Sequence, residues 1–271
     1  MQSISLTLSK RVRRIEYVIA RAIDRMMQRS PARRVVFLHI PKCAGSSVNM
    51  FFKTRLGSGK SSRVVLLDDR IRGPEFEEKL LRARDAQFVG GHFGMETLER
   101  IRGDAFTFTI LRDPGERLRS IYGHLRTRTD GNPLGDKVRT MSLIDFFESN
   151  DPDILQWSDN VMARMLAFGH AWNSAAGTSA EELSKRAISR ATTLDHVAFL
   201  EKLDDDIAPV AAVAGLNYKG TLSRENVTAI KAPSPPPAEA VQPMTPQERE
   251  LAKKRIAADL AVYDTLRERT V

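Results

Sequence analysis

The sequence is poor in the features that cross-link a protein or carry it through a membrane. Cys43 is the only cysteine, so no internal disulfide can form, and this favours a reducing compartment. No stretch reaches the roughly 18 apolar residues of a membrane span. Arginines between positions 11 and 21 interrupt the segment where a signal peptide would need an apolar run. We therefore expect a cytoplasmic protein.

Several motifs are also missing. The sequence has no G-x-x-x-x-G-K-[ST], which argues against an ordinary P-loop NTPase. It shows no cluster of cysteine, histidine and acidic residues at metal-ligand spacing, so no metal is expected. It has no recognisable nucleic-acid-binding module and no aromatic stacking motif, so no nucleic-acid partner is expected.

The bulk composition is that of a folded, basic protein. The chain has 271 residues, of which 42% are hydrophobic, enough to bury a substantial core. The net charge is +8. This charge favours anionic partners such as nucleotides, sulfated or carboxylated sugars, membrane surfaces or nucleic acid. General solubility is an equally good explanation of the charge alone.

The central motif is residues 35–47, VVFLHIPKCAGSS. Its apolar run predicts a strand buried on both faces, and the following apolar residues at helical spacing predict a helix. The loop between them carries Lys42, Gly45, Ser46 and Ser47. Because a helix N-terminus presents free N–H groups and a positive dipole end, this loop is predicted to hold a phosphate or sulfate group. The alternative is an ordinary strand-to-helix turn with a surface lysine.

Apolar runs alternate with helical patterns along the chain. This alternation predicts an α/β fold with three layers, in which helices flank a central, mostly parallel sheet. The predicted strands are 35–38, 63–67, 87–91, 105–111 and 195–200.

The predicted organisation is one α/β domain over 31–271, with a basic amphipathic helix over 1–30 ahead of it. Residues 8–29 of that helix either pack on the protein or contact an anionic membrane surface. Within the α/β domain we expect a helical insertion at about 127–190. A proline-rich connector at 231–246 precedes a final helix over 246–268.

A second motif follows the fourth predicted strand. Arg112 ends the strand, and Asp113, Pro114 and Glu116 form a helix start. Arg112 and Ser120 should therefore lie near the C-terminal edge of the sheet, where open α/β folds bind ligands. The alternatives are an ion pair of Arg112 with a neighbouring acid and a serine on the helix surface.

A histidine follows the third predicted strand directly. The ordinary pKa of His92 suits a general base, although a lone histidine is more often structural. Asp68 and Asp69 end the second strand and are the rival bases, or else a solvated turn.

Three stretches together resemble the carbohydrate sulfotransferases that use 3′-phosphoadenosine 5′-phosphosulfate (PAPS), nearest to the uronosyl 2-O-sulfotransferases and their bacterial relatives. HIPKCAGSS is similar to that family's 5′-phosphosulfate loop, and FTILRDPGERLRSIYGHL to its 3′-phosphate motif. GGHFGMETL is similar to the segment that holds the catalytic base. Weaker similarity extends over most of residues 35–265. The resemblance implies sulfuryl transfer from PAPS to a sugar hydroxyl.

The resemblance also implies roles for single residues. Lys42 would assist the leaving group, and His92 would be the general base. Arg112 and Ser120 would hold the 3′-phosphate. The 5′ end of PAPS would be held by the loop residues Lys42, Cys43, Ala44, Gly45, Ser46 and Ser47.

The chain departs from the family pattern at two positions. Cys43 stands where relatives have threonine, and either packs as a small residue or has a lowered pKa at the helix N-terminus. Gly90 stands where many relatives have a second histidine, which puts a two-histidine mechanism in doubt.

Basic residues in the predicted insertion could bind the acceptor, an anionic or lipid-linked carbohydrate. Arg126 and Arg164 are the candidates chosen, while Arg128, Lys137 and Arg139 are also available. Two other functions stay open at this stage. One is a nucleotide-dependent phosphotransferase with an unusual loop, and the other is a basic nucleic-acid-binding protein.

Overall fold

The computed structural model describes residues 32–57, 63–128, 131–218, 220, 222 and 243–269, with only the backbone described at positions 172 and 173. The predicted amphipathic helix at 8–29 and most of the predicted connector at 231–246 lie outside these residues. Within them, none of the helices combines the length and the apolar character needed to cross a membrane.

The described part of the chain contains one five-stranded parallel sheet. Its order is β2-β3-β1-β4-β5, and each neighbouring pair is parallel. The central strand β1 is completely buried, as its continuous apolar run predicts. The parallel sheet confirms the fold class. The strands are β1 Val35–Leu38, β2 Val64–Asp68, β3 Phe88–His92, β4 Phe106–Leu111 and β5 His196–Phe199.

Helices flank this sheet and complete the three-layer α/β arrangement. Those between the first four strands are α1 Gly45–Leu56, α2 Pro74–Asp85 and α3 Met95–Ile101. Between β4 and β5 lie α4 Pro114–Arg126, α5 Pro133–Arg139, α6 Leu143–Glu148, α7 Pro152–Ser158, α8 Val161–Ala167 and α9 Ala180–Ala191. After β5 come α10 Leu203–Val213, α11 Pro246–Arg255 and α12 Ala257–Glu268.

Side-chain caps fix the starts of two of these helices. The Asp113 carboxylate accepts a hydrogen bond from the main-chain N–H of Glu116 at the start of α4. Ser142 and Asp145 form a reciprocal capping box at α6. These local interactions fix where the helices begin, and α4 in particular begins directly after Arg112.

Two apolar cores hold the helices in place. The larger one surrounds the sheet, and the smaller one joins α4 to α5, α6, α7 and α11. In the smaller core Tyr122 and Phe146 are fully buried, and their rings lie 5.5 Å apart. This second core contains residues from the first half of the predicted insertion at 127–190. The insertion itself stays a prediction.

The final helix is not continuous, contrary to the prediction of one helix over 246–268. It breaks at Ile256, where α11 ends and α12 begins. The Asn160 side-chain oxygen accepts hydrogen bonds from the N–H groups of Ala258 and Asp259. In return the Asp259 carboxylate accepts from the N–H of Ala163. Each of the two helix starts thus provides acceptors for the free N–H groups of the other. Because of this exchange, α12 begins where it meets α8.

Candidate active site

The sheet order brings three loops to one edge. Because β1 lies between β3 and β4, the loops that follow these three strands meet at the C-terminal edge of the sheet. Lys42 and Arg112 lie in these loops and His92 is the last residue of β3; the sequence singled out these three residues.

The loop between β1 and α1 has an unusual backbone. Lys42 and Ala44 both adopt left-handed conformations, with φ of 69° and 58°. For residues other than glycine this costs on the order of 1–3 kcal/mol each and is concentrated at functional sites. Alternating backbone of this kind, followed by a helix start, directs N–H groups into a concave anion site. The loop therefore fits an anionic phosphate or sulfate group.

Gly45 begins α1 and leaves open the space that a side chain would fill. In the structure the His39 ring occupies that space, and a Cβ at Gly45 would lie 1.8 Å from the Cδ2 atom of His39. Glycine is required here because His39 packs against the helix start.

Lys42 and Arg112 lie next to each other at the loop after β1. Arg112 Nη1 donates a hydrogen bond to the main-chain oxygen of Lys42 at 3.3 Å. Burial, followed by the nearby Arg112 charge, lowers the pKa of Lys42 to about 8. The suggested ion pair of Arg112 is a long one: its Nη2 atom lies 3.6 Å from Glu116 Oε2, whereas Arg119 Nη2 lies 2.7 Å from the same oxygen. Lys42 and Arg112 are therefore two adjacent cations with one distant carboxylate as partner, an arrangement that favours an anionic ligand.

Ser120 lies one helical turn after Glu116 on α4. Residues four apart share a helix face, and Glu116 is within ion-pair distance of Arg112. Ser120 is partly exposed, and its spacing from Glu116 places it on the same face of α4. Its predicted contact with a 3′-phosphate stays a prediction.

Cys43 is completely buried. Burial raises the pKa of its thiol to about 12. The suggestion of a lowered thiol pKa at the helix N-terminus is therefore wrong, because the loss of hydration outweighs the nearby arginine charges. Cys43 acts as a small packing residue.

His92 has the hydrogen bond that a general base needs. Its Nδ1 atom lies 3.1 Å from the main-chain oxygen of His39. A carbonyl oxygen can only accept, so Nδ1 carries the proton and Nε2 of the neutral ring has the free lone pair. Burial is the main cause that lowers the pKa of His92 below 6.5, so the ring is neutral at pH 7.

His92 stands in a row of three histidines. Its ring centre is 4.2 Å from that of His39 and 5.7 Å from that of His170. A Cβ at Gly90 would lie 2.2 Å from Asn49 Oδ1, so a larger residue there would require the Asn49 side chain to move. His39 is a histidine neighbour of His92 that comes from another strand end.

His170 was not identified from the sequence. It is almost completely buried, and within the described residues neither of its ring nitrogens has a hydrogen-bond partner. Burial, then the nearby His92 and Arg70, lowers its pKa to about 2. No sequence signal identifies it, since it follows α8 in a segment without a motif.

The carboxylate of Asp69 is engaged by main-chain N–H groups, which does not suit a general base. Its side chain is buried, and its Oδ2 atom accepts hydrogen bonds from the N–H of Gly94 at 2.8 Å and of His170 at 3.3 Å. It therefore fastens the loop after His92 to the segment that carries His170. The expected solvated turn is wrong for Asp69. Asp68 is paired instead with Arg70, whose Nε donates to it at 2.9 Å.

The two acceptor candidates are occupied elsewhere. Arg164 is 1% exposed, and its guanidinium donates to the main-chain oxygens of Asp159, Leu155 and Gln156. Its proposed role in binding an acceptor does not fit this burial, and it supports the α7–α8 turn instead. Arg126 donates at 2.9 Å to the main-chain oxygen of Met141, and its acceptor role stays a prediction.

Two further basic residues of the predicted insertion are paired with nearby carboxylates. Lys137 is paired with Asp151, and Arg139 lies 2.7 Å from Asp136. In the described parts of the chain, no group of three or more histidine, cysteine or acidic side chains converges as a metal site would require.

The chain is thus an α/β protein whose central strand ends in a loop with a backbone suited to an anionic group. Residues 25–264 match the model of the Sulfotransferase family, so the chain belongs to that family. It is accordingly a transferase of sulfuryl groups. A search of curated proteins found no match.

Proposed function

We propose that the protein transfers the sulfuryl group of PAPS to a hydroxyl of a carbohydrate acceptor, a glycan or glycoconjugate. The observation that carries this proposal is the arrangement of three residues around one loop. Lys42 and Arg112 lie in contact on one side, and His92 lies beside the loop through its hydrogen bond to His39. A pair of cations and a neutral base are the groups that this transfer needs.

PAPS supplies the activated sulfuryl group, and its 3′,5′-ADP portion leaves. Lys42 is in its charged form at neutral pH, because its pKa of about 8 lies above 7. It neutralises negative charge at the 5′ end of the nucleotide, together with the N–H groups of Gly45 and Ser46 at the start of α1. Arg112 and Ser120 hold the 3′-phosphate, the arginine through charged hydrogen bonds.

His92 removes the proton of the acceptor hydroxyl. Its Nδ1–H is engaged by the main-chain oxygen of His39, so the acceptor proton goes to Nε2. The base and the cations belong to different strand ends, which separates acceptor chemistry from nucleotide binding. In this scheme neither proton removal nor nucleotide binding requires Asp68 or Asp69 to take up or release a proton.

The donor preference tests this function. In thermal unfolding, 3′,5′-ADP should stabilise the protein far more than ATP, by about 2.7 kcal/mol at 100 times its Kd. Arg112→Ala should lose this stabilisation. Arg100→Ala is the matched control, since Arg100 is an exposed residue of α3 paired with Glu77. Equal stabilisation by ATP would contradict the proposal and favour a phosphotransferase.

A further inference from the structure

A cavity of about 310 Å³ opens beside His92, between the start of α1, the end of β2 and α2. Lys42 and Arg112 do not line it. Ser46 and His92 do, so the cavity adjoins the anion loop on the side of the base. A molecule in this cavity would be next to the proposed base without occupying the cation pair.

The charges in the cavity wall are few and already neutralised. Among the residues that line it, Asp68 and Lys79 are the charged ones. Asp68 is bound by Arg70, and Lys79 lies 2.7 Å from Glu75. No arginine lines it within the described chain. An acceptor with several sulfate or carboxylate groups would find no matching array of cations here.

The wall formed by β2 and the turn after it carries two exposed apolar side chains beside the paired Asp68. Leu66 and Ile71 are each 48% exposed, and the buried Leu67 and Phe76 also line the cavity. Large apolar side chains at the wall of a cavity gain free energy when a ligand covers them. The opposite wall is polar and carries His39, Asn49 and His92.

This division fits a molecule with two different parts. A hydroxyl group would face the histidine wall, and an apolar group would cover Leu66 and Ile71. We propose that the acceptor is an uncharged, hydroxyl-bearing molecule with an alkyl or aromatic group attached, such as a glycolipid or an aryl glycoside. The proposal rests on the sulfotransferase function given above and selects the apolar type of acceptor over the anionic one.

Equilibrium binding tests the apolar subsite directly. With the full chain saturated with 3′,5′-ADP, calorimetry would compare methyl and octyl β-glucoside below the micelle concentration of the latter. The octyl compound should bind at least about tenfold more tightly, because its chain buries apolar area against Leu66 and Ile71. The double variant Leu66→Ser, Ile71→Ser should lose that gain.

The control variant is Leu81→Ser. Leu81 is 60% exposed on α2 but does not line the cavity, so its replacement should leave the octyl preference unchanged. Equal binding of the two glucosides would overturn the proposal, as would an octyl preference that survives the double variant. Tighter binding of a sulfated oligosaccharide than of octyl glucoside would also overturn it. Failure of the sulfotransferase function is seen separately, as absence of a preference for 3′,5′-ADP over ATP.

Discussion

The imidazole of His92 donates its Nδ1–H to the main-chain oxygen of His39 at 3.1 Å, and the two rings lie 4.2 Å apart. The last strand residue of β3 is thereby joined to the first loop residue after β1. One contact fixes the tautomer of the proposed base and its position relative to the anion loop. The position of the proposed base therefore depends on the main-chain position of the loop residue His39.

Replacement of His92 should remove the base and leave the nucleotide site intact. We expect His92→Ala to lower kcat by roughly 10²–10⁴, the usual effect of losing a positioned general base. The wild-type kcat should fall at acidic pH with an apparent pKa below 6.5, because burial disfavours the protonated ring. That acidic limb should be absent from the variant, and the Kd of 3′,5′-ADP should be nearly unchanged.

The matched control is His196→Ala, because His196 lies on β5 outside the site. Its kcat and acidic limb should resemble those of the wild type. Near-normal turnover of His92→Ala would mean that the base lies elsewhere.

Nucleotide binding should weaken when Lys42 loses its proton. The pKa of Lys42 is lowered to about 8, so the free protein loses this charge between pH 7 and 9.5. Nucleotide phosphates have their second pKa near 6 and stay fully ionised over this range. We expect the affinity for 3′,5′-ADP to fall by about tenfold, as one charged hydrogen bond is lost.

Lys42→Arg provides the comparison for this pH dependence. An arginine stays protonated throughout the range, so the affinity of the variant should be nearly constant. Equal pH dependence in both proteins would show that another group causes the change.

Local sequence patterns predicted the sheet well and placed the three candidate site residues at strand ends. The run from Val35 to Leu38 is fully buried as the centre of the sheet, Arg112 follows β4 as expected, and His92 is the last residue of β3 instead of the first after it. These features depend on short stretches of chain. Parallel pairing then brings the strand ends together without further information.

Features that depend on distant contacts escaped prediction. Gly45 is required by the ring of His39, Asp69 binds N–H groups near positions 94 and 170, and His170 reaches the site from the end of α8. The break at Ile256 follows from the caps exchanged with Asn160. Periodicity and motif spacing carry no information on such pairs, because each one forms only when separate elements pack together.

Asp69 should prove to be a positioning residue. Asp69→Asn removes a carboxylate that accepts from the N–H groups of Gly94 and His170, so we expect a loss of about 1–3 kcal/mol in the free energy of unfolding. The kcat should fall while its acidic limb remains. Urea unfolding and the pH profile of kcat measure the two effects.

Asp68→Asn is the control for Asp69. It disrupts the partly exposed ion pair with Arg70, and such pairs contribute about 1 kcal/mol or less. Loss of the acidic limb in Asp69→Asn would identify Asp69 as the base and contradict the assignment to His92.

His170 should make the folded protein sensitive to acid. Its pKa is lowered from 6.5 to about 2, chiefly by burial and further by the nearby His92 and Arg70. Between these two pH values the unfolded chain binds a proton at His170 that the folded protein does not bind. The free energy of unfolding therefore falls as the pH drops below 6.5, by up to about 1.4 kcal/mol per pH unit from this group.

His170→Phe should reduce the pH slope of the free energy of unfolding by the contribution of one proton. Urea unfolding between pH 5.0 and 6.5 measures this slope. Phenylalanine keeps an aromatic ring beside Trp157, whose ring centre is 5.9 Å from that of His170. It also removes two buried nitrogens that lack partners among the described residues, so stability at pH 7 should be unchanged or higher. An unchanged slope would show that His170 is protonated in the folded protein over this pH range and would contradict the prediction.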